Sequence, residues 1–289
     1  MSVDLRLNAF NLRAIGGLNS LSGREGGLAP LFVEGHFGNM KQLVPEILRF
    51  ESLPSTNLEA ARRASEGALE GLCIVSREQT AGRGRLARRW MSPKDAGLYF
   101  SILLRPQFPQ SEWPMLTLMA AVAVHDALLD ACAVEADVKW PNDILVNEKK
   151  ICGILAETVE TPSGRAVVVG IGINLTNRSH PEALELEAIA VETVTGRCAQ
   201  MEVVLAALIA ALTKYYAVLN EPGGRQVIIE AWRERSSYAE GKVVRVTESE
   251  DSFVGTTRGL ERDGALRVET YDGKIRLVRA GDVTKVRPE

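Results

Sequence analysis

Residues 79–90 read QTAGRGRLARRW, and this stretch decides how the rest of the chain is interpreted. It follows a short apolar run, residues 72–76, whose β-branched side chains predict a buried strand. Glycines at positions 82 and 84 permit backbone conformations that other residues disfavour. Between and after them lie four arginines: Arg83, Arg85, Arg88 and Arg89. Such a loop predicts a site for a phosphate or carboxylate, because peptide N–H groups and guanidinium forks both bind anionic oxygens. A solvated basic loop and a patch that touches nucleic-acid backbone remain alternatives.

The composition makes this local charge stand out. The 289 residues are 46% hydrophobic and 25% charged, which is typical of a globular protein and excludes global disorder. The net charge of −3 argues against bulk nucleic-acid binding. The longest apolar runs, such as 203–212, are about half of what a bilayer crossing needs, and Asp4 and Arg6 argue against a signal peptide. The four cysteines lack zinc spacing, so we expect reduced thiols in a cytoplasmic protein: Cys73, Cys132, Cys152 and Cys198.

The chain divides into three parts. Residues 1–44 include a Gly- and Ser-rich stretch and predict a flexible extension. Residues 45–235 predict one large domain in which short strands (72–76, 97–105, 138–140, 143–146, 150–157, 166–172) accompany helices (114–132, 203–219, 227–235). Residues 236–289 contain five short alternating runs with Asp-Gly turns. They predict a small SH3-like barrel, with a terminal meander on the main domain as the alternative.

Three small polar residues, Ser55, Thr56 and Asn57, precede a helical pattern. Thr56 and Glu59 have the spacing of a capping box, in which Thr56 would be the N-cap. The same polar groups could instead hydrogen-bond a small neutral ligand. Both roles are compatible if Ser55 faces the ligand and Thr56 caps the helix.

Three further segments carry chemistry. Residues 139–143, KWPND, predict a polar turn between strands, whose Lys, Asn and Asp could serve a ligand or a metal-bound nucleotide; taken alone, the motif is better explained by turn formation. Lys150 stands at the entrance to an apolar strand, where an ammonium group suits a carboxylate or an α-phosphate; a lysine that protects a strand edge is the alternative. Residues 170–174, GIGIN, indicate a close approach of a ligand or another backbone.

The order STN, QTAGRGRxxRxW, KWPND, KKICGILAE and GIGIN resembles the biotin protein ligases over about residues 45–175. The tail from Ser236 is similar to the small C-terminal domain of that family. The resemblance implies an α+β fold: a mixed-sheet catalytic domain of the class II aminoacyl-tRNA synthetase type at 45–235, and an SH3-like barrel at 236–289. It implies that biotin and ATP form biotinyl-5′-AMP, with Mg²⁺ as a cofactor. The biotinyl group then passes to a lysine of a biotin carboxyl carrier protein, a subunit of acetyl-CoA carboxylase.

The resemblance also implies residue roles. Biotin would be held by Ser55, Thr56, Asn57, Gln79, Arg83, Gly84, Arg85, Lys150 and Gly153. ATP and the adenylate would be held by Arg85, Arg88, Trp90, Asn142, Asn174 and Arg287, with Asp143 near Mg²⁺. Lys150, Arg85 and Arg83 would be catalytic, because a carboxylate that attacks an α-phosphorus brings two anions together. No Ser/His/Asp arrangement is needed for this chemistry.

The chain departs from the family pattern in two places. Residues 1–44 do not predict a winged helix, so we expect a ligase without repressor activity and no DNA partner. Leu86 and Ala87 replace a more polar or glycine-containing pair, which would stiffen the basic loop. A lipoate or octanoate ligase of the same superfamily and a nucleic-acid-binding module are the alternative functions. A homodimer and a monomer both fit the sequence, and no membrane association is expected.

Overall fold

A computed structural model describes residues 43–184, 186–248 and 251–286. The predicted flexible extension lies outside these residues apart from its last two, and so does Arg287. The described residues belong to one compact unit.

Seven strands of the described chain form the first sheet, in the order β1-β2-β3-β7-β6-β5-β4. Their bounds are β1 Glu46–Phe50, β2 Leu72–Ser76, β3 Gly97–Leu104, β4 Asp137–Lys139, β5 Asp143–Val146, β6 Lys149–Thr161 and β7 Gly164–Asn174. Strand β1 is parallel to β2, whereas the other described pairings are antiparallel. The sheet is therefore mixed, as the α+β prediction requires. Strand β1 was not predicted, and β6 and β7 are longer than expected because they form one extended hairpin.

Helices cover both faces of this sheet. They are α1 Thr56–Ser65, α2 Pro114–Cys132, α3 Val191–Thr195, α4 Met201–Asn220 and α5 Gly224–Glu234. Helix α2 is apolar nearly all round because it lies between the sheet and α4. Helix α1 packs on the other face, where Ala60 and Ala64 contact Ile74 and Leu103 in a smaller core. The short helix α3 was not predicted.

Two helical segments are long and apolar enough, by length and composition, to cross a membrane: residues 110–132 and 201–220. These helices are longer than the uninterrupted apolar runs of the sequence, because the mean hydropathy of a helix tolerates isolated polar residues. Of the most apolar window in residues 110–132, 67% is buried inside the fold. This segment contains α2, so its apolar composition is explained by a place in the core.

Residues 240–285 supply a second, five-stranded sheet in the order β11-β10-β9-β8-β12. Its strands are β8 Glu240–Glu248, β9 Asp251–Leu260, β10 Leu266–Thr270, β11 Ile275–Val278 and β12 Asp282–Lys285. All five predicted strands are confirmed, and the boundary at residue 236 remains a prediction. The β9–β10 turn anchors this sheet on the first, because the indole N–H of Trp140 donates to the carbonyl oxygen of Gly264 at 3.0 Å.

Candidate active site

A cavity of about 560 Å³ opens over β6 and β7, beneath the basic loop of residues 82–90. Every predicted site residue within the described chain lines it: Ser55, Thr56, Asn57, Gln79, Arg83, Gly84, Arg85, Arg88, Trp90, Asn142, Asp143, Lys150, Gly153 and Asn174. The fold therefore brings the five sequence motifs together at one place. The individual roles of these residues remain predictions.

Glycines in β6 and β7 make room for two of these side chains. Gly153 and Gly172 are direct cross-strand partners, and the indole of Trp90 lies against both. A Cβ atom at Gly172 would lie 2.4 Å from Nε1 of Trp90, and one at Gly170 would lie 2.0 Å from Oδ1 of Asn57. The close approach that the GIGIN segment predicted is thus made by side chains of the same protein.

The start of α1 forms the uncharged polar end of the cavity. Thr56 is the first helical residue rather than the N-cap, and Ser55 at the N-cap makes no capping hydrogen bond. The N–H of Thr56 donates to Oε1 of Gln79 at 2.8 Å, and the Thr56 hydroxyl lies 3.1 Å from the same oxygen. The capping prediction for Thr56 was therefore wrong, because the amide of Gln79 already satisfies this helix terminus. Glu59 instead pairs with Arg62 and Arg63, and the hydrogen bond from Arg62 is the main cause that lowers the pKa of Glu59 to about 2.

A buried serine and a carboxylate lie behind this end of the cavity and bond to the groups that line it. The hydroxyl of Ser101, which has no exposed surface, lies 2.8 Å from Oγ1 of Thr56 and 2.6 Å from Oδ1 of Asn57. The amide nitrogen of Asn57 donates to Oε2 of Glu157 at 2.8 Å, and the other oxygen of Glu157 pairs with Arg83. Arg83 therefore reaches the polar end of the cavity through a carboxylate.

Two lysines and one aspartate form the charged end. Nζ of Lys150 lies 2.5 Å from Oδ1 of Asp143, and Nζ of Lys139 lies 3.9 Å from Oδ2. Burial lowers the pKa of Lys139, and the ammonium of Lys150 lowers it further, while Asp143 opposes both effects. The ammonium of Lys150 also lies 5.5 Å from the ring centroid of Trp90, within cation–π distance.

The basic loop is held from the second sheet. The guanidinium of Arg85 donates to Oδ1 of Asn142 at 3.0 Å and to the carbonyl oxygen of Gly281 at 3.2 Å. Arg88 pairs with Asp282 at the start of β12. Asn142 is fixed in turn, because its amide donates to the carbonyl oxygen of Ile154 at 2.8 Å. The barrel therefore forms one wall of the site.

Leu86 and Ala87 adopt left-handed backbone conformations, with φ of 54° and 57°. This region is disfavoured for residues with a Cβ atom. The backbone conformation of the loop is therefore disfavoured by its own residues at positions 86 and 87. A glycine at either position would favour this conformation.

Asp143 is a poor ligand for a resident Mg²⁺ ion. Its carboxylate is shared by two ammonium groups, and the described parts of the chain contain no cluster of three or more His, Cys, Asp or Glu residues that could hold a metal. Mg²⁺ needs few protein carboxylates when phosphates supply its other ligands. The magnesium role of Asp143 therefore stays a prediction, and a nucleotide would have to bring most of the ligands.

Several residues of the cavity and its surroundings were not predicted from the sequence: Ser101, Glu157, His180 and Asp282. One signal was available, since Ser101 is an isolated polar residue inside the apolar strand β3. Asn174 was predicted, and its amide donates to the carbonyl oxygen of Ile189 at 3.2 Å, next to α3.

Comparisons with known proteins agree with this geometry. Residues 43–174 match the Biotin/lipoate A/B protein ligase family, and residues 241–286 match the Biotin protein ligase C terminal domain. The chain is 36% identical over 236 residues to the Biotin--[acetyl-CoA-carboxylase] ligase of Paracoccus denitrificans, covering 79% of this chain and 96% of that protein. It is 33% identical over 254 residues to the Bifunctional ligase/repressor BirA of Bacillus subtilis, covering 86% and 77%.

A solved structure gives the same result for the fold. The biotin protein ligase from Aquifex aeolicus, solved in complex with biotin and ATP, superposes with a TM-score of 0.72 at 28% identity. The match covers 84% of this chain and 99% of that one. On these matches and on the ordered motifs that line one cavity, the chain belongs to the biotin protein ligase family.

Proposed function

We propose that this protein is an ATP-dependent biotin ligase. Biotin and ATP react to biotinyl-5′-AMP and pyrophosphate, and the biotinyl group then acylates a lysine of a carrier domain. The observation that carries the proposal is the polarity of the cavity, which is neutral and hydrogen-bonding at Thr56 and Gln79 and cationic at Lys150. Biotin has the matching polarity, with a neutral polar ring system at one end and a carboxylate at the other.

The neutral end would recognise the ring system. Asn57 and Gln79 each carry a donor and an acceptor, and Thr56 adds a hydroxyl. These groups are buried or half-buried and already hydrogen-bonded, so their orientations are set before the ligand arrives. Ser55 and the backbone at Gly84 and Gly153 would complete this part of the site.

The cationic end would carry the chemistry. Carboxylate attack on the α-phosphorus increases negative charge between two anions, so fixed positive charge lowers the barrier. Lys150 would contact both anions, because it stands on β6 in the cavity lining and its ammonium lies beside the ring of Trp90. Lys139 and Arg85 add charge nearby, and Asn142 orients Arg85. No covalent enzyme intermediate is required.

The basic loop would protect the adenylate. A mixed anhydride is readily hydrolysed, so the loop over the cavity has to exclude water until the carrier lysine arrives. Arg88 and Trp90 lie on the loop, and Nε1 of Trp90 is buried without a hydrogen-bond partner among the described residues. That donor and the apolar indole face suit a nucleotide base. Mg²⁺ would enter with the phosphates of ATP.

The partner would be the biotin carboxyl carrier protein of acetyl-CoA carboxylase, as the name of the relative from Paracoccus denitrificans suggests. We propose that the enzyme acts in the cytoplasm, consistent with four unpaired cysteines. We further propose that it does not bind DNA; its oligomeric state, monomer or homodimer, is to be measured by analytical ultracentrifugation. A gel-shift assay with operator-like DNA in the presence of biotin and ATP checks the DNA part.

Intact-mass analysis of a carrier domain tests the main proposal. The domain is incubated with the protein, ATP and Mg²⁺, and with either biotin or lipoate. A mass increase with biotin alone is expected, and an increase with lipoate alone would establish the lipoate ligase alternative. If neither acid is transferred and nucleic acid binds with a steep salt dependence, the basic loop serves nucleic-acid binding instead.

A further inference from the structure

A chain of hydrogen bonds runs beneath the cavity and joins the two ends of the basic loop. We call it the polar relay; its members are Ser92, Gln79, Thr56, Ser101, Asn57, Glu157 and Arg83. Successive members approach within 2.6 to 3.1 Å, and an ion pair links the last two. Arg83 is the second residue of the basic loop, and Ser92 lies two residues after its end. The groups proposed to recognise the biotin ring therefore lie between the two ends of the loop.

Both donor hydrogens of Asn57 are already used. Its amide nitrogen donates to Glu157 and to the carbonyl oxygen of Leu155, while its oxygen accepts from Ser101 and keeps a second lone pair. A ligand group that accepts a hydrogen bond from Asn57 must therefore compete with Glu157 or Leu155. Glu157 is the partner that also holds Arg83, which makes this carboxylate the link between the ligand end and the loop.

Stability alone does not explain this carboxylate. The side chains of Arg83 and Glu157 are 45% and 29% exposed, and ion pairs at such exposure contribute little to folding. The two hydrogen bonds of Glu157 instead come from segments 26 positions apart in sequence, α1 and the basic loop. A carboxylate with two such partners fixes the distance between them.

We propose that Glu157 is a positioning residue for the ligase reaction, which couples occupation of the polar end of the cavity to closure of the basic loop through Asn57 and Arg83. This proposal rests on the proposed function, since it assumes that biotin occupies the polar end. Glu157 does not touch the substrate; it acts through the two residues that do.

The test is Glu157→Gln, which keeps the size of the side chain and removes its charge. The rate of pyrophosphate release is measured at varied concentrations of biotin and, separately, of ATP. The conformation of the loop is probed with trypsin, which cleaves after its four arginines. Glu160→Gln is the matched control, because Glu160 lies on the same strand and pairs with Arg165 away from the cavity. If the glutamine variant folds poorly, the same measurements are made on Glu157→Asp, which retains the charge on a shorter side chain.

We expect Glu157→Gln to raise the KM for biotin by about tenfold, the order of a lost charge-assisted hydrogen bond, with kcat and the KM for ATP little changed. Biotin should no longer protect the loop from trypsin at concentrations that protect the wild type, and Glu160→Gln should behave like the wild type. In a double-mutant cycle with Arg83→Gln, the two effects should be less than additive.

Three results would overturn the proposal. They are a biotin KM of Glu157→Gln equal to that of the control, additive effects with Arg83→Gln, and a Tm loss accompanied by equal changes in all kinetic constants. Failure of the proposed function itself looks different, since the wild type would then release no pyrophosphate with biotin and ATP.

Discussion

The ammonium nitrogen of Lys150 lies 2.5 Å from a carboxylate oxygen of Asp143, whose other oxygen faces the ammonium of Lys139 at 3.9 Å. One negative charge is thus shared by two positive ones at the charged end of the cavity. The excess charge is positive, which suits an anionic substrate. The carboxylate holds both lysines at this end of the cavity.

Asp143→Asn should slow adenylate formation, by roughly tenfold, because the two ammonium groups would repel each other without the carboxylate between them. Loss of Asp143 removes the larger of the two carboxylate influences that oppose the lowered pKa of Lys139. The loss of activity should therefore grow as pH rises, as Lys139 loses its proton. Pyrophosphate release between pH 6 and 9 checks this, and a profile parallel to that of the wild type would contradict it.

Lys150→Ala should lower adenylate formation by roughly a hundredfold or more, the loss found when one preorganised electrostatic group is removed. The fold should persist, because Lys150 lies at the start of β6 and its backbone makes the pairing to residues 187–189. Single-turnover pyrophosphate release at saturating biotin and ATP measures the step. Lys149→Ala is the control on the neighbouring position, and an unchanged rate in Lys150→Ala would refute the catalytic role.

Local patterns predicted most elements, whereas long-range contacts could not be predicted. The bounds of α2 were correct because proline marks its start and an apolar pattern fills it. The capping-box prediction at Thr56 failed because the backbone N–H of Thr56 donates to a distant side chain, Gln79, rather than to Glu59. The pairs of Arg83 with Glu157 and of Arg88 with Asp282 join residues 74 and 194 positions apart. Only the sheet order and the docking of the second sheet bring them together.

Arg85→Gly should let the activated acyl group escape. Arg85 ties the loop both to Asn142 and to the carbonyl oxygen of Gly281, which immediately precedes β12, so its loss frees the loop from two anchors. Pyrophosphate release should slow, because Arg85 also supplies positive charge, but biotinylation of free lysine or of an unrelated protein should rise relative to the pyrophosphate released. Mass spectrometry of bystander proteins measures the escape, and retention of the adenylate as in the wild type would show that the loop does not act as a lid.

Ala87→Gly should favour the observed loop conformation by about 1 kcal/mol, because glycine adopts a φ near 57° without the Cβ penalty. Tryptic cleavage within residues 83–89 should become slower if this conformation protects the loop. Ala81→Gly is the matched control, since Ala81 has no positive φ and glycine there should only add flexibility. Equal acceleration of cleavage in both variants would mean that the loop spends little time in this conformation.

Asp126→Asn should reduce the free energy of unfolding at pH 7 by about 2 kcal/mol. Burial works to raise the pKa of Asp126, but hydrogen bonds with His125, Arg235 and Tyr215 outweigh it and hold that pKa well below its usual range. A depressed carboxyl pKa stabilises the fold above the unfolded value of about 3.9, and this contribution is lost as pH falls through the folded value. The difference in free energy of unfolding between variant and wild type should therefore reach its full size at pH 7 and shrink below about pH 4.

Urea unfolding at pH 7, 5 and 3 measures this difference, with Asp130→Asn, at an exposed position, as the control. A difference independent of pH would mean that shape rather than charge at Asp126 holds α2 to α4 and α5.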